Sequence, residues 1–194
     1  TWEVVETLDF GLDASLFNNR LKASFDWYQR DTRDMLIAGI QLPSVVGTSA
    51  PTRNAADMRT RGWEIAMSWR DQIGDWGYNI GFNLYDYTSE ITKYDLNQEK
   101  LLSEAYYEGK TLGEIWGYVS DGGYYSIDDF DAAGSWKLNQ GVTSIRGTAV
   151  RPGDEKFVNL RDDVGENEIN NGLNTVESPG DQKVIGNSTA RYNY

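Results

Sequence analysis

Hydrophobic and polar residues alternate with a period of two along residues 9–32. Apolar side chains occupy every second position on both sides of Asn18-Asn19: Phe10, Leu12, Ala14, Leu16, Leu21, Ala23, Phe25 and Trp27. Such alternation places the apolar residues on one face of a β-strand. Asparagine tolerates the positive φ of a two-residue hairpin turn. The pattern predicts an antiparallel hairpin in which Leu16 faces Leu21 and Phe10 faces Trp27, because a shift of one residue would destroy the apolar match.

A second alternating pattern covers residues 62–88. Its apolar positions are Trp63, Ile65, Met67, Trp69, Trp76, Tyr78, Ile80, Phe82 and Leu84. The polar segment 71–74 predicts the turn of a second hairpin. Folding there pairs Trp69 with Trp76, Met67 with Tyr78, Ile65 with Ile80, Trp63 with Phe82 and Arg70 with Asp75. The small and polar residues between the apolar ones, Gly77, Asn79, Gly81 and Asn83, are expected on the opposite face, toward a polar lumen.

The predicted strands are long enough to cross a membrane. A strand of about 11 residues, tilted by about 45°, spans about 25 Å, which is the height of the apolar band of an outer-membrane barrel. Aromatic residues lie toward the ends of the apolar stripes, as at the interfaces of such barrels. We therefore predict membrane-interface positions for Trp27, Trp63, Trp69, Trp76 and Tyr78.

The lengths of the connections are asymmetric. Both predicted turns are short, whereas the loop 33–61 between the hairpins and the region 89–194 after them are long. Short turns on one side and long loops on the other are typical of bacterial outer-membrane barrels. The predicted fold class is all-β, with about four long antiparallel strands of a transmembrane β-barrel within residues 1–88 and an extracellular loop region over 89–194.

Composition excludes several function classes. The chain of 194 residues has 18 basic and 30 acidic residues, a net charge of −12 that argues against nucleic-acid binding. It has no cysteine and no histidine, which excludes disulfides, a Ser-His-Asp triad and histidine metal sites. The adjacent acids Asp128-Asp129 and Asp162-Asp163 indicate an acidic loop, because adjacency does not set the spacing that a glycosidase needs. We expect no enzyme activity.

Motifs along the whole chain then point to a family. They are Gly11-Leu12-Asp13, residues 16–21, residues 26–36, residues 54–58, Gly62-Trp63-Glu64, residues 109–113, Asp121-Gly122-Gly123, residues 152–157, Ile185-Gly186-Asn187 and residues 191–194. In this order and spacing, the chain resembles the SusC/RagA family of TonB-dependent outer-membrane transporters.

The resemblance implies a place and partners for the chain. Such transporters hold a plug domain inside a barrel of about 22 strands, and this chain resembles strands and extracellular loops from the later part of that barrel. The family imports glycan oligomers or peptides, takes energy from TonB through the plug, works with a SusD-like lipoprotein lid and needs no cofactor. Loop aromatics are then candidate ligand or lid contacts: Tyr106, Tyr107, Trp116, Tyr124 and Tyr125.

One stretch departs from the family pattern. Members carry a calcium-like Asp-x-Asn-Gly-Asp-Gly run after the Pro-Gly-Asp motif, and the matching residues here are 159–166. Arg161 stands where an oxygen ligand is wanted, and Val164 replaces the expected glycine. Since calcium needs several convergent oxygen atoms, we expect no metal site here.

The residues also leave open a second hypothesis, a secreted or surface β-sandwich that binds carbohydrate through exposed aromatics. A sandwich would cover the apolar stripes with a second sheet, whereas a barrel exposes them to lipid. Long strands and one-sided loops favour the barrel. Since four strands cannot close a barrel and lipid tolerates no open edge, we expect the chain to be part of a longer protein.

Overall fold

The computed structural model describes residues 2–39, 47, 51–130, 141–161 and 167–189. Within these ranges the regular structure is β, apart from one 3₁₀ turn at Ile127–Asp129. None of the described residues forms a helix long and apolar enough to cross a membrane. The chain divides into two compact units, one comprising residues 1–96 and 108–112, the other residues 97–107 and 113–194.

The first unit is an antiparallel meander of long strands. The strands are β1 (Val4–Leu16), β2 (Leu21–Ala38), β3 (Thr52–Ile73) and β4 (Trp76–Tyr94), and they lie in the order β1-β2-β3-β4. They contain 13, 18, 22 and 19 residues, against about 5–6 in a common strand of a globular protein. The prediction of about four long antiparallel strands is confirmed.

The register of the first hairpin is the predicted one. Leu16 lies opposite Leu21 and Phe10 lies opposite Trp27. Asn18 and Asn19 have φ values of 56° and 64°, and the Arg20 N–H donates to the Phe17 carbonyl at 3.1 Å. Positive φ at both central positions is typical of a type I′ turn. Phe17, directly before them, also has a positive φ of 54°, so the strand pairing ends at Leu16 and Leu21.

The register of the second hairpin differs from the predicted one. The turn is Gly74-Asp75, with Gly74 at φ 61°, so Trp76 lies opposite Ile73 instead of Trp69. The predicted pairs were wrong; the observed ones are Trp69–Ile80, Met67–Phe82, Ile65–Leu84, Trp63–Asp86 and Arg70–Asn79. A glycine closes the tighter two-residue turn, which lets residues 71–73 continue the strand. The apolar face is unchanged, because the register moves by an even number of residues.

The region between the hairpins contains more strand than the expected loop 33–61. β2 continues to Ala38 and β3 begins at Thr52, which leaves residues 39–51 as the connection. The register is irregular between Thr32 and Leu36. There Asp34 has φ 55°, and its N–H donates to the Asp57 carboxylate at 2.8 Å. This bulge interrupts the alternation that would have shown the strand in the sequence.

A returning segment of the chain pairs with the far end of β4. The Ile91 N–H donates to the Lys110 carbonyl at 2.9 Å, and the Gly109 and Leu112 N–H groups donate to the carbonyls of Ile91 and Ser89 at 2.7 and 2.8 Å. Residues 108–112 therefore pair with β4 at residues 89–91. The sheet thus includes residues beyond 88, whereas we expected the loop region to begin at residue 89.

The second unit consists of short strands and turns. β5 (Glu114–Gly117) pairs with β11 (Lys183–Asn187), and β6 (Ser120–Tyr124) pairs with β9 (Glu155–Phe157). A small sheet contains β7 (Ser144–Ile145), β8 (Thr148–Ala149) and β10 (Glu168–Ile169). The hydrophobic cluster of the second unit contains Tyr125, Phe130 and Val150, and Ile145 packs against them.

One close contact fixes β2 against β3 on the polar face of the first unit. The Tyr28 ring lies over Gly62, its register partner. A Cβ atom added at Gly62 would stand 2.5 Å from Tyr28 Cζ, which is shorter than any real contact. Only glycine leaves room for the ring here.

Gly62→Ala is therefore expected to destabilise the protein by about 1–3 kcal/mol, the usual cost of overpacking. The measurement is the thermal unfolding midpoint of the purified protein in detergent. Gly77→Ala is the matched control, since a Cβ atom at Gly77 meets nothing within 4 Å. Equal midpoints for the two variants would contradict the steric explanation, whereas recovery in a Gly62→Ala, Tyr28→Ala double variant would support it.

Candidate functional site

The apolar residues of the first unit form one exposed face, which we call the apolar band; Asp71, paired with Arg20 at 3.3 Å, lies among them. It extends from the row of Ile73 and Trp76 to the row of Trp27 and Trp63. Phe10, Leu12 and Ile80 within it are 60%, 60% and 65% exposed. The ten steps from Ile73 to Trp63 cover about 33 Å along the strand, or about 25 Å at a tilt of about 40°. The band thus has the height of a membrane's apolar core.

The five aromatic residues predicted at the membrane interface all lie on this face. Trp76 and Tyr78 are near the Gly74-Asp75 turn. Trp69 lies opposite Ile80, four residues from Ile73, and its ring contacts the Phe17 ring at 5.8 Å between centroids. Trp27 and Trp63 lie directly opposite each other at the other end. Trp76 and Tyr78 therefore mark one edge of the apolar band, and Trp27 and Trp63 mark the other.

Beyond Trp27 and Trp63, the same face becomes polar. We call its next two rows the polar ladder, which consists of Gln29 and Asp31 on β2 and of Arg61 and Arg59 on β3. Arg59 Nε lies 2.5 Å from Asp31 Oδ1. Gln29 Nε2 donates to Asp31 at 2.9 Å, and Arg61 Nε donates to Gln29 Oε1 at 2.9 Å. The sequence pattern missed this ladder, because it depends on the register between β2 and β3.

The opposite face of the sheet is polar along its length. A shallow cavity of about 520 Å³ lies there, with Asp13, Lys22, Ser24 and Asn83 among the residues that line it. Gly77, Asn79, Gly81 and Asn83 all belong to this face by their register, as predicted. Lys22 and the carboxylates of Asp13, Asp26 and Glu64 give it charges of both signs.

Two of the five predicted loop contacts hold the second unit together. Tyr107 is buried, and its hydroxyl donates to the Glu114 carboxylate. Trp116 Nε1 donates to the Tyr107 hydroxyl and to Glu114 Oε1, both at 2.9 Å. The structure thus brings Tyr107 and Trp116 to one carboxylate, and their polar atoms are engaged within the chain.

Tyr125 is also buried, whereas Tyr106 and Tyr124 are 45% and 68% exposed. The Tyr125 ring packs edge-on against Phe130, with centroids 6.2 Å apart, and burial raises the pKa of its hydroxyl. Lys156 Nζ lies 5.1 Å from the ring centroid. Of the five predicted contacts, Tyr106 and Tyr124 present the most side-chain surface to a ligand or partner.

The carboxylates of this unit accept hydrogen bonds from backbone amides. The Ser126 N–H donates to Asp129 at 2.7 Å, and Lys156 Nζ lies 3.3 Å from the same carboxylate. These two contacts, the amide first, lower the pKa of Asp129. Asp128 and Asp129 thus belong to a capped 3₁₀ turn, in agreement with the structural interpretation of this acidic pair.

Asp181 is the anchor that the sequence pattern missed. It is fully buried, and its carboxylate accepts the N–H groups of Leu160, Arg161 and Asn170 at 2.7, 3.0 and 3.0 Å. The preceding Gly180 has φ 61° and lies so close to Gly172 that a Cβ atom added at Gly180 would overlap the Gly172 backbone nitrogen. A Pro-Gly-Asp run such as residues 179–181 is typical of a turn, so the sequence does not indicate this role of Asp181.

The described residues contain no group of three or more acidic side chains that could hold a metal ion. In the calcium-like stretch, the Leu160 and Arg161 amides point to the Asp181 carboxylate. Residues 162–166, which include Asp162-Asp163, lie outside the described ranges.

The family model for the TonB dependent receptor-like β-barrel matches residues 1–193. The chain belongs to the TonB-dependent receptor β-barrel family. TonB-dependent receptors are outer-membrane transporters. In such a barrel the apolar band faces lipid and the polar face lines the lumen. The fold class and the resemblance to the SusC/RagA transporters are both confirmed.

Relatives and solved structures agree with this assignment. TonB-dependent receptors P3 and P39 of Formosa agariphila are 28% and 25% identical over 97% and 98% of this chain. The chain spans 18% and 20% of those relatives. A structure of the RagAB peptide transporter matches 66% of this chain and 14% of its own, with 29% identity and a TM-score of 0.52. The RagAB peptide importer in its open-open state matches 71% of this chain and 16% of its own, with 25% identity and a TM-score of 0.52.

Removal of the Asp181 carboxylate is expected to loosen the second unit. Asp181→Ala leaves three backbone amides without their acceptor. The Asn170 amide among them is buried, and a buried group left unsatisfied costs about 1–3 kcal/mol. Limited proteolysis of the folded transporter should cleave this unit about tenfold faster or more. Asp128→Ala, which removes an exposed carboxylate of the same unit, is the control. Equal cleavage rates for the two variants would show that Asp181 is no anchor.

An arginine scan of adjacent positions tests the two faces of β4. Phe82→Arg places a charge near the middle of the apolar band and is expected to cost about 2–4 kcal/mol, whereas Asn83→Arg points to the lumen. The measurement is the fraction of the full-length transporter that migrates as a heat-modifiable barrel. A greater loss for Asn83→Arg than for Phe82→Arg would reverse the assignment of the faces.

Proposed function

We propose that this chain supplies wall strands and an extracellular loop unit to a SusC-like importer of glycan oligomers or peptides. The observation that carries the proposal is the apolar band, whose height fits a membrane and whose edges hold aromatic residues. The short turns at 17–20 and 74–75 lie at one end of the strands, and the connection 39–51 lies at the other. By the rule that periplasmic turns are short, the Trp27–Trp63 end is extracellular.

The interface aromatics then take defined roles. Trp76 and Tyr78 belong to the periplasmic interface, and Trp27 and Trp63 to the outer one. Trp69, four residues from the Ile73–Trp76 row, lies further into the apolar band than predicted. Indole and phenol rings suit these levels, because one end is apolar and the other is polar.

Energy and partners follow from the family. We infer that TonB drives transport through a plug elsewhere in the transporter, and that a SusD-like lipoprotein covers the extracellular side. The similar solved structures are those of RagAB, a peptide transporter and importer. The exposed rings of Tyr106 and Tyr124 offer stacking surface to a sugar, a peptide or the lipoprotein.

The β-sandwich hypothesis accounts less well for the first unit. A sandwich buries the apolar faces of two sheets against each other. Here the unit contains a single four-stranded sheet, and Trp76 on its apolar face is 82% exposed. Lipid is the environment that such a face requires.

Deletion of the transporter gene is expected to abolish uptake of labelled glycan oligomers or peptides, with the same loss when TonB is absent. In the intact gene, a Tyr106→Ala, Tyr124→Ala double variant should lower uptake about tenfold, as expected for exposed aromatic contacts. Leu173→Ala, which changes another exposed residue of the same unit, is the control. Normal uptake of both substrate classes after deletion would refute the importer function.

A further inference from the structure

A cavity of about 300 Å³ opens on the lipid side of the sheet, immediately above the apolar band. Trp27 and Trp63 line its lower part, and Arg59, Arg61, Asp86, Thr88 and Glu90 are among the residues above them. We call it the interfacial cleft. It lies on the opposite face of the sheet from the lumen, so substrate transport does not account for it.

The cleft has cations on one strand and anions on the next. On β3, Arg59 is paired with Asp31, and Arg61 donates a hydrogen bond through Nε to Gln29 Oε1. Both Nη groups of the exposed Arg61 thus lack an acceptor among the described residues. On β4, Asp86 and Glu90 flank Thr88, the register partner of Arg61. Within the described ranges neither carboxylate forms a salt bridge. Glu90 lies opposite Arg59 and interacts with it electrostatically, and Asp86 Oδ1 accepts the Tyr87 N–H at 2.8 Å.

The height of the cleft places these charges among lipid headgroups. Alternate residues on a strand are about 6.6 Å apart, so the Arg61 and Arg59 rows lie about 5 and 10 Å above the tryptophans at a tilt of about 40°. Headgroups add about 5–8 Å to each side of the hydrocarbon core. Arg61 therefore lies in the headgroup layer of the outer leaflet.

We propose that the interfacial cleft binds the headgroup of an outer-leaflet lipid that carries both a phosphate and a primary amine, as phosphoethanolamine does. Arg61 binds the phosphate through its free Nη groups, as guanidinium groups do. Glu90 and Asp86 accept hydrogen bonds from the ammonium, which has three donors. The rings of Trp27 and Trp63 contact the start of the acyl chains.

Charge complementarity selects this headgroup over its competitors. The two carboxylates on β4 repel a headgroup that is only anionic. A trimethylammonium group has no N–H to donate to them. A zwitterionic headgroup with an N–H-bearing amine matches both the cations on β3 and the anions on β4. Its phosphate lies toward β3 and its amine toward β4.

The test uses the full-length transporter, purified in detergent and stripped of lipid. Phosphatidylethanolamine, phosphatidylglycerol and phosphatidylcholine with identical acyl chains are added separately, and bound lipid is counted by native mass spectrometry. We expect the ethanolamine lipid to bind most tightly. Arg61→Gln should weaken its binding about tenfold, since a hydrogen bond to a charged group is lost. Glu90→Gln should remove the preference over phosphatidylglycerol.

Arg30→Gln is the matched control, because Arg30 is an exposed arginine one position from the ladder on the opposite face. Equal binding of the three lipids, or equal weakening by Arg30→Gln and Arg61→Gln, would overturn the proposal. Tighter binding of phosphatidylglycerol would overturn it too, in favour of a purely anionic lipid. If Arg61→Gln does not fold, the lipid preferences of the wild type and of Glu90→Gln decide. These readouts do not involve uptake, so they stand or fall independently of the importer function.

Discussion

In hydrocarbon a backbone N–H or C=O without a partner costs several kcal/mol, so every strand that crosses a membrane must be hydrogen-bonded along its whole length. This constraint explains the long ladders of the first unit. β3 pairs with β2 on one side and with β4 on the other along nearly all of its 22 residues. Neighbouring strands of the complete barrel must satisfy the outer edge of β1 in the same way. The stability of this unit therefore comes from its place in a closed sheet.

The alternation of side chains then sets three chemical zones on one continuous sheet. The lipid side is apolar from Ile73 to Trp63 except at Asp71, which is paired with Arg20, and the lumen side is polar. At Trp27 and Trp63 the lipid side changes to the polar ladder, although the strands continue without a break. The change is made by side chains alone. The same wall can therefore pass through the membrane and continue above it.

The sequence was sufficient for features that depend on local patterns. The first hairpin follows from the alternation around Asn18-Asn19, and the faces of all four strands follow from the period of two. The Gly74-Asp75 turn could not be distinguished from the predicted one, because an even shift matches apolar residues equally well. The end of β2 was hidden by the bulge at Asp34. The role of Asp181 was hidden for another reason: its partners are backbone amides, which leave no pattern in the sequence.

The second hairpin has a consequence for how such barrels vary in length. Its two strands can each be lengthened or shortened by two residues at the turn, and every remaining side chain still faces the same side, lipid or lumen, as before. An odd insertion would exchange the two faces from that point onward unless a bulge absorbs it, as the irregularity at Asp34 does in β2. Natural insertions and deletions in this hairpin should therefore come in pairs, and an unpaired residue should be accompanied by a positive-φ position nearby.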